Sequence, residues 1–100
     1  MSVMVVGRIK ADPARMEAAF RERAADFMAV SHYAKTHGAL HHHFAAGNGE
    51  VMFIDEWENA EAFQSFFSSQ PKIPELMQAA GAMGQPEIQV YDVMATQDDF

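Results

Sequence analysis

The alternation of apolar and polar residues divides the chain into four strands and a set of helices. The clearest stretch is Val51–Phe67, VMFIDEWENAEAFQSFF, a strand running straight into a helix. Val51, Phe53, Asp55 and Trp57 fall on one face and Met52, Ile54 and Glu56 on the other, the period of a pleated strand. The period changes at Asn59, an N-cap residue whose side-chain oxygen can accept from the free N–H groups of the next turn. Glu61 follows in the first turn, where the helix dipole favours negative charge. Ala62, Phe63, Phe66 and Phe67 then form an apolar stripe that must stop near Ser69, before Pro71.

The rest of the chain reads by the same rules. Ser2–Lys10 is a strand with Val3, Val5, Gly7 and Ile9 on one face and Met4, Val6 and Arg8 on the other. Gly7 in mid-strand marks a place where something approaches closely. Asp12-Pro13 opens a helix, cap first and proline at the first helical position. That helix is predicted to run unbroken to about Tyr33, with Met16, Phe20, Phe27, Val30 and Ala34 on its apolar side and Gly38 as the C-terminal cap.

Ala39–Ala45 is the second strand, with Leu40, His42 and Phe44 facing one way and His41 and His43 the other. Ala46-Gly47-Asn48-Gly49 has the composition of a hairpin turn leading into the strand that begins at Val51. A short helix is expected over Pro74–Ala80, ended by Gly81 and Gly84, and a last strand over Glu87–Ala95. In that strand Ile88, Val90, Asp92 and Met94 share one face, and Gln89, Tyr91 and Val93 the other.

The order is β-α-β-β-α-β with an extra turn of helix before the last strand. This is an α+β, ferredoxin-like arrangement: a four-stranded antiparallel sheet with its helices on one face, in one domain over residues 1–100. The uncovered face would carry Met4, Val6, Met52, Ile54 and Val93. A patch so apolar predicts a second sheet against it, and hence a homodimer.

Composition narrows the function. A formal charge of −7 with seven scattered basic residues argues against a nucleic-acid backbone or an anionic membrane as partner. The absence of Cys removes disulfides, thiolate metal sites and Cys nucleophiles. No segment approaches the roughly 20 apolar residues that span a bilayer. The opening MSVMVVGRIK lacks the basic start and cleavage site of a signal peptide, so a cytoplasmic location is expected.

The candidate chemistry centres on two residues. His42, between Leu40 and Phe44, is either a core histidine or an acid–base group whose ordinary range suits proton transfer at neutral pH. Asp55 shares its face with Phe53 and Trp57. Desolvation there would raise its pKa and make it a candidate base, unless it pairs with Arg8 at a strand edge. His41 and His43 lie about 6.5–7 Å apart along the strand and could chelate a metal. A third ligand would have to come from Asp55, Glu56 or His37, so no metal site is assigned and the pair is read as polar residues on a wet or dimer-facing side. Trp57 is a core plug or a pocket wall. Phe20 and Phe66 are wall candidates, and Arg8 and Tyr91 are candidate partners for an anionic ligand.

Three features together carry a resemblance: Gly38-x-Leu40 leading into a hairpin, a strand ending in Glu56-Trp57-Glu58-Asn59, and the following Glu61-Ala62-Phe63. In these and in element order along nearly the whole chain, the sequence resembles the antibiotic-biosynthesis-monooxygenase-like family of dimeric α/β barrels. The resemblance implies a monooxygenase that needs no cofactor and acts on a small aromatic, a quinol or phenolic polyketide, in an apolar pocket. His42 or Asp55 would be the base, Trp57, Phe20 and Phe66 the walls, and Arg8 or Tyr91 the anion partners. The alternatives are the same pocket without chemistry, a binding module for a small hydrophobic ligand, and, ranked after it, a metal-binding protein through His41 and His43.

Two positions depart from the family pattern. Many members carry a His where Phe66 stands here. The haem-degrading members use that His with an Asn in the first strand, where this chain has Gly7. Haem degradation by the usual arrangement is therefore not expected.

Overall fold

The structure, a computed structural model, describes residues 1–100. The elements are β1 (Val3–Lys10), α1 (Pro13–Glu22), α2 (Ala24–Lys35), β2 (Ala39–Gly47), β3 (Glu50–Trp57), α3 (Ala60–Ser69), α4 (Lys72–Ala79) and β4 (Glu87–Asp92). The strands form one antiparallel sheet in the order β2-β3-β1-β4, and the fold is the expected ferredoxin-like α+β arrangement. No helix is long and apolar enough to cross a membrane.

The central strands bury alternate residues, as their period requires. Val3, Val5, Gly7 and Ile9 of β1 and Val51, Phe53, Asp55 and Trp57 of β3 all face the helices. Gly7 lies directly across from Phe53. A Cβ there would stand 2.1 Å from a ring carbon of Phe53, so the close approach expected at Gly7 is made by that ring. The core joins these residues to Met16 and Ala19 of α1 and Phe63 and Phe66 of α3.

The caps form as read. Asp12 accepts from Ala14 N at 3.0 Å, with Pro13 in the first turn, and Asn59 accepts from Ala62 N at 2.8 Å. The single first helix does not form. It breaks at Arg23, whose φ of −118° and ψ of 30° leave the helical region. The break lets α1 bury Met16 and Ala19 while α2 turns Phe27, Val30 and Ala34 towards the core. Asp26 staples the corner, 2.8 Å from Arg23 and 3.1 Å from Lys72 of α4.

Other boundaries move for local reasons. α4 starts at Lys72, which places Pro74 in the first turn, where N–H groups have no helical partner to lose. β4 ends at Asp92, short of Ala95. β2 and β3 extend to Gly47 and Glu50, which pair across a two-residue loop. Asn48 and Gly49 take φ of 53° and 73°, the double positive φ of a type I′ turn.

The second strand also departs from simple alternation. A bulge lies between Ala39 and His41, so Leu40 is the inserted residue and Ala39 sits opposite Trp57. Leu40 therefore does not share the regular face of His42 and Phe44.

The reverse of the sheet carries Met4, Val6, Met52 and Ile54, all partly exposed. Polar side chains on this side pair along it: Arg8 with Glu50 at 2.9 Å, and Ser2 with Glu56 at 2.6 Å.

Candidate functional site

A cavity of about 400 Å³ opens between the helices and the β2–β3 half of the sheet. Of its 25 lining residues 19 are hydrophobic, so its few polar groups decide what it can do. Phe27, Phe44, Phe53, Phe63 and Phe66 give it aromatic walls. The volume lies near the small end for ligand pockets.

His42 and Asp55 meet on the cavity wall. They are direct partners across β2 and β3, a register set from the Asn48-Gly49 turn. His42 Nδ1 and Asp55 Oδ1 are 2.6 Å apart. Asp55 is only 6% exposed, whereas the His42 side chain keeps 39% of its surface open. An ionised carboxylate can only accept, so a neutral imidazole bonded to it donates from Nδ1 and leaves Nε2 free. Trp57 Nε1 donates to the other carboxylate oxygen at 3.1 Å. Phe44 meets the imidazole edge-on, with ring centroids 4.7 Å apart. Low polarity around such a pair strengthens its hydrogen bonds and makes an unpaired partner costly. In chemical terms this is a nitrogen base, oriented by a buried carboxylate, beside an aromatic chamber.

The structure places the other candidates unevenly. Phe66 lines the cavity. Trp57 stands behind the lining, fully buried, with Phe63 and Phe66 in front at centroid distances of 5.7 and 5.0 Å. The wall role expected of its indole falls to those two rings. Phe20 also lies one layer back, packed on Phe27 and Phe44 at 4.5 and 5.0 Å.

Arg8 and Tyr91 are on the reverse of the sheet and do not reach the cavity. Arg8 alternates with the inward-facing Gly7, and Tyr91 pairs with Met4 rather than with an inward residue. Arg8 bonds Glu50 instead of Asp55, and this hydrogen bond, with the charge of Glu50, raises its pKa further above the ordinary value. The Tyr91 hydroxyl donates to Gln89. Parity already contained this result, because Arg8 and Gly7 are adjacent in one strand.

His41 and His43 border the cavity rim on the edge strand, opposite Glu56 and Ile54. No three His, Cys, Asp or Glu side chains gather within ligating reach anywhere in the chain. Ser31 and Lys35 of α2, which the sequence reading did not single out, also line the cavity. They are spaced one helical turn apart on the side that carries Phe27, and that spacing was the available signal.

Solved structures share this fold along almost the full length. SnoaB, a cofactor-independent oxygenase from Streptomyces nogalater, is 22% identical, with 98% of each chain covered and a TM-score of 0.65. Rv0793 from Mycobacterium tuberculosis is 14% identical over 98% of this chain and 100% of its own, with a TM-score of 0.63. A conserved protein from Methanosarcina mazei Go1 is 11% identical over 91% of each chain, with a TM-score of 0.65. At these identities the likeness is one of fold. No curated protein sequence matches the chain. Residues 2–81, however, match the model of the antibiotic biosynthesis monooxygenase family, and with the fold they establish that the chain belongs to it.

Proposed function

We propose that this chain is a cofactor-independent monooxygenase acting on a small aromatic, a quinol or phenolic polyketide, held in the cavity between sheet and helices. The observation that carries the proposal is the 2.6 Å contact of His42 with buried Asp55 on the wall of an otherwise apolar chamber. Family membership and the likeness to a cofactor-independent oxygenase support it.

In this reading His42 Nε2 takes a hydroxyl proton from the ligand, and Asp55 stabilises the imidazolium that forms. The resulting electron-rich anion passes electrons to dioxygen. One oxygen atom bonds to a ring carbon, and the other leaves as water with two protons released by the substrate, one of them returned through His42. The substrate supplies all the electrons. The aromatic walls hold the ring and exclude bulk water from the anion.

The test is oxygen uptake with a panel of quinols and phenolic polyketides. Uptake is expected, and His42→Ala and Asp55→Ala are each expected to lower its rate about 10²–10⁴-fold, the usual size of a general-base contribution. No uptake with any of them, or variants that match the parent, would defeat the proposal.

One observation favours a second reading, a binding protein without turnover. α3 presents Phe66 to the cavity, so that wall offers a ring and no ionisable group. A hydrophobic ligand that copurifies with the protein, without oxygen consumption, would select this reading.

We further propose a homodimer formed through the reverse of the sheet. Met4, Val6, Met52 and Ile54 lie there side by side, with no helix over them. A light-scattering mass of one chain at micromolar concentration would defeat it.

A further inference from the structure

The indole of Trp57 supplies a hydrogen bond that the proposed reaction does not use. Both oxygens of Asp55 are engaged: Oδ1 lies 2.6 Å from His42 Nδ1, and Oδ2 accepts from the indole N–H of Trp57 at 3.1 Å. The backbone dictates this meeting. Asp55 and Trp57 are two residues apart on the inward face of β3, and His42 is directly across from Asp55 on β2. No buried side-chain nitrogen or oxygen in the chain lacks a partner, so the carboxylate is satisfied as it stands.

The two donors differ in kind. An indole N–H donates and can never accept, whereas either nitrogen of a neutral imidazole can carry the proton. A proton on Asp55 Oδ2 would point at the indole N–H and is disfavoured. A hydrogen bond from N–H to an ionised oxygen is stronger than one to a neutral acid. With Oδ2 tied to the indole N–H, the plane of the ionised carboxylate is fixed and its other acceptor, Oδ1, faces His42 Nδ1.

We infer that Trp57 is a positioning residue: its indole N–H holds the Asp55 carboxylate so that neutral His42 carries its proton on Nδ1 and keeps Nε2 basic. The other groups around His42 do not supply this selection. Lys35 of α2 lines the same cavity, and His41 and His43 flank His42 along β2. The lining residues from α3 and α4 are Phe63, Phe66, Phe67, Ile73, Leu76 and Met77, none of them ionisable. The inference gives the proposed base its direction, but the tautomer itself is independent of turnover.

Trp57 is the only Trp in the chain, so it can be replaced throughout by β-(3-benzothienyl)alanine, which keeps the outline of indole and puts sulfur in place of N–H. The measurement is ¹⁵N NMR of the His42 ring, without ligand, in the parent protein, the benzothienyl protein and Trp57→Phe. The parent is expected to show a protonated Nδ1 and an unprotonated Nε2. Both replacements are expected to lose that single pattern, the two nitrogen signals moving towards each other as the second tautomer fills. A parent protein with the proton on Nε2 would overturn the inference. So would a benzothienyl protein that keeps the parental pattern with an unchanged fold by circular dichroism. Should Trp57→Phe fail to fold, the near-isosteric replacement still decides the matter. A negative oxygen-uptake assay leaves this result untouched, so the two failures are distinguishable.

Discussion

The same four strands build both faces of the sheet, and the two faces could hardly differ more. Towards the helices, Val5, Val51 and Trp57 are closed off almost completely, and the one carboxylate among them, Asp55, has a donor on each oxygen. Away from the helices, Met4, Val6, Met52 and Ile54 are partly open, and polar groups beside them pair along the face, Arg8 with Glu50 and Ser2 with Glu56. A single residue step along a strand moves a side chain from one regime to the other. Residue type therefore says little about role until parity is assigned: Arg8 and Tyr91 have the right chemistry for a ligand and stand on the wrong side for this cavity.

The comparison can be broken in four places. Trp57→Ala empties the most enclosed position on the covered face and is expected to cost about 3–5 kcal/mol in urea denaturation. A loss no larger than that of an exposed residue would mean the covered face is not the core.

Ile54→Lys puts a charge in the middle of the opposite face. Because both copies would carry it, the proposed dimer should weaken by about 1–3 kcal/mol per subunit, with helix content preserved by circular dichroism. Light scattering should then give the mass of one chain. If the mass stays that of two chains, the apolar reverse face is not the contact.

Gly7→Ala sharpens the covered side. The added methyl meets the Phe53 ring, and that ring borders the cavity, so it can tip inward and relieve the clash. The expected cost is about 1–2 kcal/mol, with a smaller chamber and weaker ligand binding by calorimetry. Equal affinity in parent and variant would show that ligand does not occupy the space beside Phe53.

The smallest effect belongs to Asp26, which lies on neither face. Hydrogen bonds from Lys72 and then Arg23 lower its carboxyl pKa below the ordinary 3.8. A lowered native pKa means the contribution is fully present above the unfolded-state value and fades as pH falls below it. Asp26→Asn should therefore cost a little at neutral pH, a shift of at most a few degrees in Tm, and nothing in strong acid. A pH-independent difference would show that the staple acts by shape alone.

Much of this was legible in the residues. Strict period two in β1 and β3 identified the inward set, and Asp12-Pro13 and Asn59 identified two helix starts, because those signals are local. The break at Arg23 was not legible. No Gly or Pro marks it, and it answers to packing by α2 and α4 far along the chain. His42 and Asp55 were each visible as candidates. Their direct pairing was recoverable only by counting back from a two-residue Asn48-Gly49 loop, a register that composition alone leaves open. Phe20 and Trp57 were rightly apolar and inward, but which aromatic stands in front of which is a matter of three-dimensional layering, and no one-dimensional period contains it.

The inserted residue at Leu40 gives β2 two independently anchored ends. Between Gly47 and His41 the ladder is regular, and the imidazole takes its address from the turn. At the other end, Gly38 O accepts from Glu58 N at 2.9 Å, and Ala39 is seated on a count one step out of phase. The surplus residue absorbs the mismatch as a slip joint does. Leu40 thus separates the count that seats Ala39 beside Trp57 from the count that seats His42 opposite Asp55.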